Sequence, residues 1–326
     1  MHVLVTGAGG FIGAALAERL QSVPLVPGLP LRLTLVDRAG PAAPCAPAVH
    51  WHIGGFADRA LFEALEDHPP DCVFHLASVP GSLAEREPGL GVQANLLDTV
   101  ALCEGLARPV REGRARAPRL VFASSVAVYG ALGSQAVDER QGPQPSLSYG
   151  VLKWMTELLV ADYGRRGDID GCSVRLPGIV ARPPAETGHG SAFMSQIFHA
   201  LRARQMYTCP VSAQATAWWM SLQCCLDNLV HAARLPTRGM PTARCWQPPV
   251  LQSSVGDVVQ AIAHAQGLDP KDWIRYAPDA RTEALFGCLP ALRTPQSEAA
   301  GFRHDGSLES LVTRVLGGLH SPGMVA

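Results

Sequence analysis

Tyr149 and Lys153 stand four residues apart in the stretch Ser148-Tyr149-Gly150-Val151-Leu152-Lys153. If the stretch is helical, both project from one face, one turn apart. A tyrosine with an ordinary pKa near ~10 is a poor base at neutral pH, but a lysine cation held beside it favours the phenolate by charge attraction. Such a pair suits the removal of a proton from a hydroxyl group. An ordinary surface helix also carries a Tyr and a Lys at this spacing, so the meaning of the pair depends on the elements around it.

The chain opens with the short β-branched run His2-Val3-Leu4-Val5-Thr6. It continues through Gly7-Ala8-Gly9-Gly10-Phe11-Ile12-Gly13 into a helical pattern from Ala14 to Leu20. Strand, glycine turn and helix in this order make a site for a pyrophosphate. Glycine lets the backbone turn tightly and approach the ligand, and the helix N-terminus attracts its charge. A second strand, Leu31 to Val36, runs into Asp37, about where an acid meets the adenosine ribose hydroxyls. Asp37 favours NAD over NADP, while Arg38 directly after it could pair with a 2′-phosphate. Irregular loops are expected from Ser22 to Pro30 and from Gly40 to Pro47.

Further strands are expected at Val49–Ile53, Cys72–Ala77, Leu120–Ala123 and Ile169–Leu176, with helices at Asp58–Glu66, Val92–Ala107 and from Ser148. Asn95 lies near the start of the second of these helices. Ser124 and Ser125 lie at the carboxyl end of the fifth strand, and Val126 to Leu147 reads as loop. Alternating short strands and helices predict an α/β fold, a doubly wound parallel sheet of the Rossmann type, with ligands at the carboxyl ends of the strands. That sheet domain is expected over residues 1–176. From Pro177 the pattern changes: Arg182-Pro183-Pro184 and Gly188-His189-Gly190-Ser191 precede an apolar helix from Ala192 to Ala203. Residues 177–326 are expected to form a smaller, irregular substrate-capping region, which need not be one continuous stretch.

Composition narrows the classes. Charged residues make up 17% of the 326 and the net charge is −1, so neither a nucleic-acid footprint nor an attraction to anionic membranes is expected. No apolar run approaches the roughly 18 residues of a membrane span, and the N-terminus lacks a basic leader, so a cytoplasmic protein is expected. The 9 cysteines contain no C-x-x-C pair and read as reduced thiols, Cys224-Cys225 as small hydrophobes on a helix. His50-Trp51-His52 reads as structural, and no metal is expected.

Gly7-x-x-Gly10-x-x-Gly13, Asp37, His75-Leu76-Ala77, Asn95, Ser124-Ser125-Val126-Ala127-Val128-Tyr129-Gly130 and Tyr149-x-x-x-Lys153 together resemble the ordered motifs of the extended short-chain dehydrogenase/reductases, the NAD-dependent epimerase/dehydratase family. The resemblance implies Ser125, Tyr149, Lys153 and Asn95 as catalytic residues. It implies an NAD site formed by Gly7, Gly10, Phe11, Ile12, Gly13, Asp37, Leu76, Ala77, Ser78, Asn95, Tyr149, Lys153 and Pro177. Asn95 would organise a proton path behind the lysine, and a homodimer would form through helices that include the one bearing Tyr149.

The C-terminal part is similar to the D-erythronate dehydrogenase branch, through Ser173 to Pro183, Trp218-Trp219-Met220-Ser221 and Asp227 to Ala233. That branch carries Ser-Pro-Arg where this chain has Ser221-Leu222-Gln223, so a carboxylate clamp is missing and the substrate need not be erythronate, or an acid. Nucleotide-sugar epimerases place an asparagine where this chain has Leu176-Pro177-Gly178. The expected activity is hydride transfer between NAD and a secondary alcohol of a small polyhydroxylated substrate, with Ser125, Tyr149, Arg182 and Ser191 against that substrate. Arg182 and Ser191 read equally as surface or capping residues. The alternatives are an epimerase or dehydratase that retains its NAD, and a dinucleotide-binding regulator without catalysis.

Overall fold

The computed structural model describes residues 1–41, 46, 48–184, 190–237 and 244–319. Most of the expected loop at Gly40–Pro47, and Gly188 and His189, lie outside them. The chain divides into two compact units. The first comprises Met1–Ser125, Leu147–Arg175 and Leu229–Trp246; the second comprises Val126–Ser146, Leu176–Asn228 and Gln247–Ala326.

The first unit is built on a seven-stranded parallel sheet of β1 (His2–Thr6), β2 (Arg32–Asp37), β3 (Val49–Ile53), β4 (Cys72–His75), β5 (Arg119–Ser125), β6 (Asp170–Leu176) and β7 (Cys245–Trp246). Their order in space is β7-β6-β5-β4-β1-β2-β3. The strands are short apolar runs because helices cover both faces of such a sheet, and β1 and β4 are buried along their whole length. Leu4, Val73, Leu120 and Phe122 of the sheet pack with Leu102, Leu106, Val160 and Tyr163 of the helices into one core. Register puts Thr6 opposite both Val36 and His75, so β1, β2 and β4 end level. The order reverses between β1 and β4, and the crevice beyond such a reversal is where an open α/β sheet takes its ligand.

Two local expectations need correction. The helix expected over Val92–Ala107 is three pieces, an α-helical turn at Pro88–Val92, a π-helical turn at Gln93–Leu97 and an α-helix at Asp98–Arg111. One extra residue in the turn shifts the hydrogen-bond ladder around Asn95, which hydrophobic periodicity does not reveal. Val126–Leu147 is not featureless: a 3₁₀ turn spans Val126–Tyr129, and the two-residue strand Val137–Asp138 pairs with Leu292–Arg293 far along the chain.

The second unit holds a three-stranded sheet with Thr216–Ser221 between Gly178–Val180 and Leu251–Ser254. Helices Phe193–Ala203, Val255–Gln266 and Leu308–Gly318 pack Phe198, Val258, Ile262, Leu311 and Val315 with Trp219 of the central strand. Among the described residues no helix is long and apolar enough to cross a membrane, and no group of three or more metal-ligating side chains is gathered. The described cysteines are free thiols; burial pushes those of Cys72 and Cys225 well above the usual range.

Candidate active site

The turn after β1 is shaped by contacts that only glycine permits. Gly7 has φ +72°, and a Cβ there would lie 2.7 Å from the Ala77 nitrogen. A Cβ on Gly13 would lie 2.0 Å from the Gly7 carbonyl oxygen. Gly10 donates to that same carbonyl at 3.1 Å, and Gly7 donates to the Val36 carbonyl at 2.9 Å. The helix Phe11–Ser22 begins directly against this turn, with Phe11 and Ile12 half-buried in its first turn. Backbone amides at a helix N-terminus, reached over a floor without side chains, fit a dinucleotide pyrophosphate.

Asp37 closes the turn. One carboxylate oxygen accepts from the Gly9 amide at 2.9 Å, tying the end of β2 to the glycine loop. Beyond β4, Leu76 donates its amide to the Thr6 carbonyl at 3.2 Å and Ala77 donates to Thr6 Oγ1 at 3.4 Å. His75 is a core residue. Its ring nitrogens meet Thr6 Oγ1 at 2.7 Å and Thr99 Oγ1 at 2.9 Å, and burial, with the Lys153 charge nearby, lowers its pKa to about 3.

Tyr149 and Lys153 do lie one turn apart on a helix, Ser148–Arg166. The Glu85 carboxylate accepts from the Ser148 amide and so occupies the helix N-terminus, while Gly167, at φ 79°, ends the helix in a left-handed cap. Tyr149 is half-buried and packs over the backbone of Gly81, where a Cβ would sit 3.5 Å from its own. Lys153 is only 3% exposed. Its Nζ donates to the Ala123 carbonyl at 2.8 Å and stands 4.7 Å from the centre of the Phe122 ring and 5.5 Å from that of Tyr149. Desolvation pulls the lysine pKa down, and the Tyr149 oxygen, then Glu157, pull it back up.

The two serines at the end of β5 part ways. Ser124 is 2% exposed and donates to Glu157 Oε1 at 2.5 Å. Ser125 is half-buried and ends the strand two residues beyond the carbonyl that holds Lys153. Asn95, 4% exposed, works as a clamp. Its Oδ1 accepts from Val79 N at 2.7 Å and Ser78 Oγ at 3.2 Å, and its Nδ2 donates to Val79 O at 3.0 Å. Its own carbonyl receives Thr156 Oγ1, from the Lys153 helix, at 3.2 Å. The first unit therefore gathers Asn95, Ser125, Tyr149 and Lys153, together with the glycine turn, Asp37 and Leu76–Ser78.

Pro177, Arg182 and Ser191 belong to the second unit. Pro177 is buried and directly precedes the strand Gly178–Val180. Arg182 has both backbone groups fixed, its amide donating to Ser195 Oγ at 3.0 Å and its carbonyl meeting His199 Nε2 at 2.6 Å. Among the described residues no carboxylate pairs with its guanidinium. The Ser191 carbonyl receives the Met194 amide at 3.1 Å. Gln223 Oε1 is buried with no hydrogen-bond partner among the described residues.

Sequence reasoning missed Gly9, Thr156, Glu157 and Arg175. The i, i+4, i+8 spacing of Tyr149, Lys153 and Glu157 was a usable signal; nothing local marks Gly9 or Arg175.

A sheet reversed at β1 and β4, a glycine turn at the reversal and a Tyr–Lys pair beside β5 define a nucleotide-binding oxidoreductase class, and the comparisons narrow it. Residues 3–219 match the NAD dependent epimerase/dehydratase family, to which this chain belongs. It is similar to the D-erythronate dehydrogenase of Cupriavidus necator, 32% identical over 318 residues that cover 96% of this chain and 97% of that protein. The D-erythronate dehydrogenase of Haemophilus influenzae is 28% identical over 318 residues, covering 97% and 99%. Among solved structures, a nucleoside-diphosphate-sugar epimerase from Agrobacterium tumefaciens superposes with a TM-score of 0.89 at 29% identity, covering 98% of this chain and 95% of that one.

Proposed function

We propose that this protein is an NAD-dependent dehydrogenase that oxidises a secondary alcohol of a small polyhydroxylated substrate, a sugar acid such as D-erythronate. The observation that carries the reading is the buried Lys153, one helical turn from Tyr149, with its Nζ anchored on the Ala123 carbonyl at 2.8 Å and 5.5 Å from the centre of the tyrosine ring. A cation desolvated beside a phenol favours the phenolate, and a phenolate can take the proton of an alcohol. The names of the two D-erythronate dehydrogenases support the substrate class.

The glycine cradle fits NAD, since a side chain at Gly7 or Gly13 would fill the approach to the turn. When bound, NAD supplies the hydride acceptor. The chain's residues do the rest. Tyr149 Oη takes the hydroxyl proton, and Lys153 would hold the nicotinamide ribose beside it. Ser125 hydrogen-bonds to the reacting oxygen and steadies the charge developing on it. Asn95 orders the groups behind the lysine through its carbonyl and Thr156. Leu76, Ala77, Ser78 and Pro177 would hold the cofactor. Asp37, at the end of β2 against the glycine turn, supports NAD over NADP, since its carboxylate would repel a 2′-phosphate. Arg182, as counter-ion for an acidic substrate, and Ser191 are the further substrate contacts of this reading.

The second reading, a nucleotide-sugar epimerase that retains its NAD, has the name of the Agrobacterium structure in its favour. The sequence Leu176-Pro177-Gly178 counts against it. The deciding assay follows NADH at ~340 nm across four- to six-carbon sugar acids, lactones and sugar alcohols, with UDP-sugars as the opposing panel. Product from UDP-sugars, with none from the sugar acids, would reverse the order. Tyr149→Phe should abolish turnover and leave NAD binding intact; retained turnover would remove the proposed base.

The working form is a cytoplasmic homodimer. Val151, Met155 and Leu158 are exposed along one face of the Tyr149 helix, and Val92 and Leu97 are exposed beside the π-helical turn. Apolar stripes of this kind mark interfaces. Light scattering that returns a single-chain mass would refute the dimer.

A further inference from the structure

The Tyr149 helix presents a third residue at the same spacing. Tyr149, Lys153 and Glu157 are successive i, i+4 neighbours, and Glu157 is 4% exposed. Its carboxylate holds two elements. Oε1 accepts from Ser124 Oγ at 2.5 Å and from Arg175 Nε at 2.9 Å, and Oε2 accepts from the Arg175 guanidinium at 2.7 Å. Arg175 stands on β6, 8% exposed, so the helix is tied to two neighbouring strands at one point.

Consecutive residues of β5 are thereby fixed to consecutive turns of one helix. Ala123 is held through its carbonyl by Lys153, and Ser124 through its hydroxyl by Glu157. The next residue is Ser125. A hydroxyl that must meet a reacting oxygen needs its position held to within about 0.5 Å, which a strand end alone does not secure. The bidentate arginine makes the carboxylate itself immobile, since two parallel hydrogen bonds fix both its place and its plane.

We propose that Glu157 is a positioning residue of the reaction centre: through Ser124 and Arg175 it fixes the end of β5, and with it Ser125 and the carbonyl that holds Lys153. This rests on the dehydrogenase reading only for which residues act on the substrate. The anchoring of β5 can be measured without any substrate.

The test uses the full chain in three forms, wild type, Ser124→Ala, and the double variant Glu157→Gln/Arg175→Met, which removes both charges of the ion pair together. Hydrogen exchange is followed at the amides of Ser124 to Ala127, and kcat and KM are measured with NAD and D-erythronate. In both variants exchange at those amides should quicken at least tenfold while β1 and the helix Phe11–Ser22 stay unchanged. The kcat should fall at least tenfold with KM for NAD within twofold. Exchange and kcat within twofold of wild type in Ser124→Ala would overturn the proposal. So would a general loss of protection across the sheet with kcat preserved, the mark of a purely structural ion pair. If the wild type does not oxidise D-erythronate, the substrate reading fails, and the exchange measurement still decides for or against Glu157.

Discussion

Replacing Gly13 by alanine tests the cofactor cradle without reference to any substrate. The new Cβ would lie 2.0 Å from the Gly7 carbonyl oxygen, 2.8 Å from its carbon and 2.9 Å from the Ala8 Cα. A carbon rests no closer than about 3.3 Å to a carbonyl oxygen, so the shortfall is about 1.3 Å. The oxygen cannot retreat freely, because Gly10 donates to it at 3.1 Å and Gly7 is itself tied to Val36 at 2.9 Å. The start of the helix Phe11–Ser22 must therefore move outward. Overpacking of this kind costs about 1–3 kcal/mol of stability, and a displacement of about 1 Å in a positioning element can cost a hundredfold in function. NADH affinity, read by fluorescence titration, should weaken at least tenfold, about 1.4 kcal/mol. Gly28→Ala is the control. That position also has a positive φ, +81°, but nothing lies within 4 Å of its Cβ, so backbone strain appears without a clash at the turn. A Gly13→Ala protein that binds NADH within twofold of wild type would refute the cradle, whatever its stability.

Asp37→Ser should release the Gly9 amide, weaken NADH binding several-fold and raise the relative affinity for NADPH; an unchanged NADH-to-NADPH ratio in competitive titration would remove Asp37 as the selector. Leu158→Glu, at a position 59% exposed, should convert the proposed dimer to single chains in light scattering with folding intact, and an unchanged mass would exclude that face. His75 should contribute a pH dependence of stability. Its folded pKa of about 3 lies below the ordinary 6.5, so the unfolded chain takes up the proton first, and stability present above pH ~6.5 is lost as pH falls towards ~3, by about 1.4 kcal/mol per unit. The pKa of His2 is lowered too, mainly by burial, and adds in the same direction. Denaturant unfolding at pH 7 and pH 5 should show a smaller difference in His75→Gln, and an equal difference would exonerate His75.

What could be read in advance follows from how local its cause is. β1, β2 and β4 are short apolar runs bounded by turn residues, and the glycine turn is fixed by spacing within seven residues, so both were legible. Tyr149 and Lys153 were legible as a pair because a helix has one repeat. The π-helical turn at Gln93–Leu97 was not, since its residues are ordinary helix formers and the shifted ladder is held by partners elsewhere, Val79 for the Asn95 side chain and Thr156 for its carbonyl. Ser124 and Ser125 were adjacent and chemically identical in the sequence. The Glu157 carboxylate, thirty-odd residues on, singles out Ser124. The strands Val137–Asp138 and Cys245–Trp246 are two residues each, too short to carry a period, and exist because a distant partner offers an edge.

β7 has a consequence for how the chain can be made and cut. It pairs Cys245 with Ser173 and Trp246 with Val174, and the Ser173 amide donates to the Arg244 carbonyl at 2.8 Å. A fragment ending at Leu176 would thus expose β6 as a bare edge, a template for aggregation. At ribosomal speeds of ~5–20 residues per second, a nascent chain waits seconds between the emergence of β6 and that of its covering strand. The sheet is finished late, from the far side of an intervening sequence, and expression of the N-terminal half alone should give insoluble protein where a chain extended past Trp246 does not.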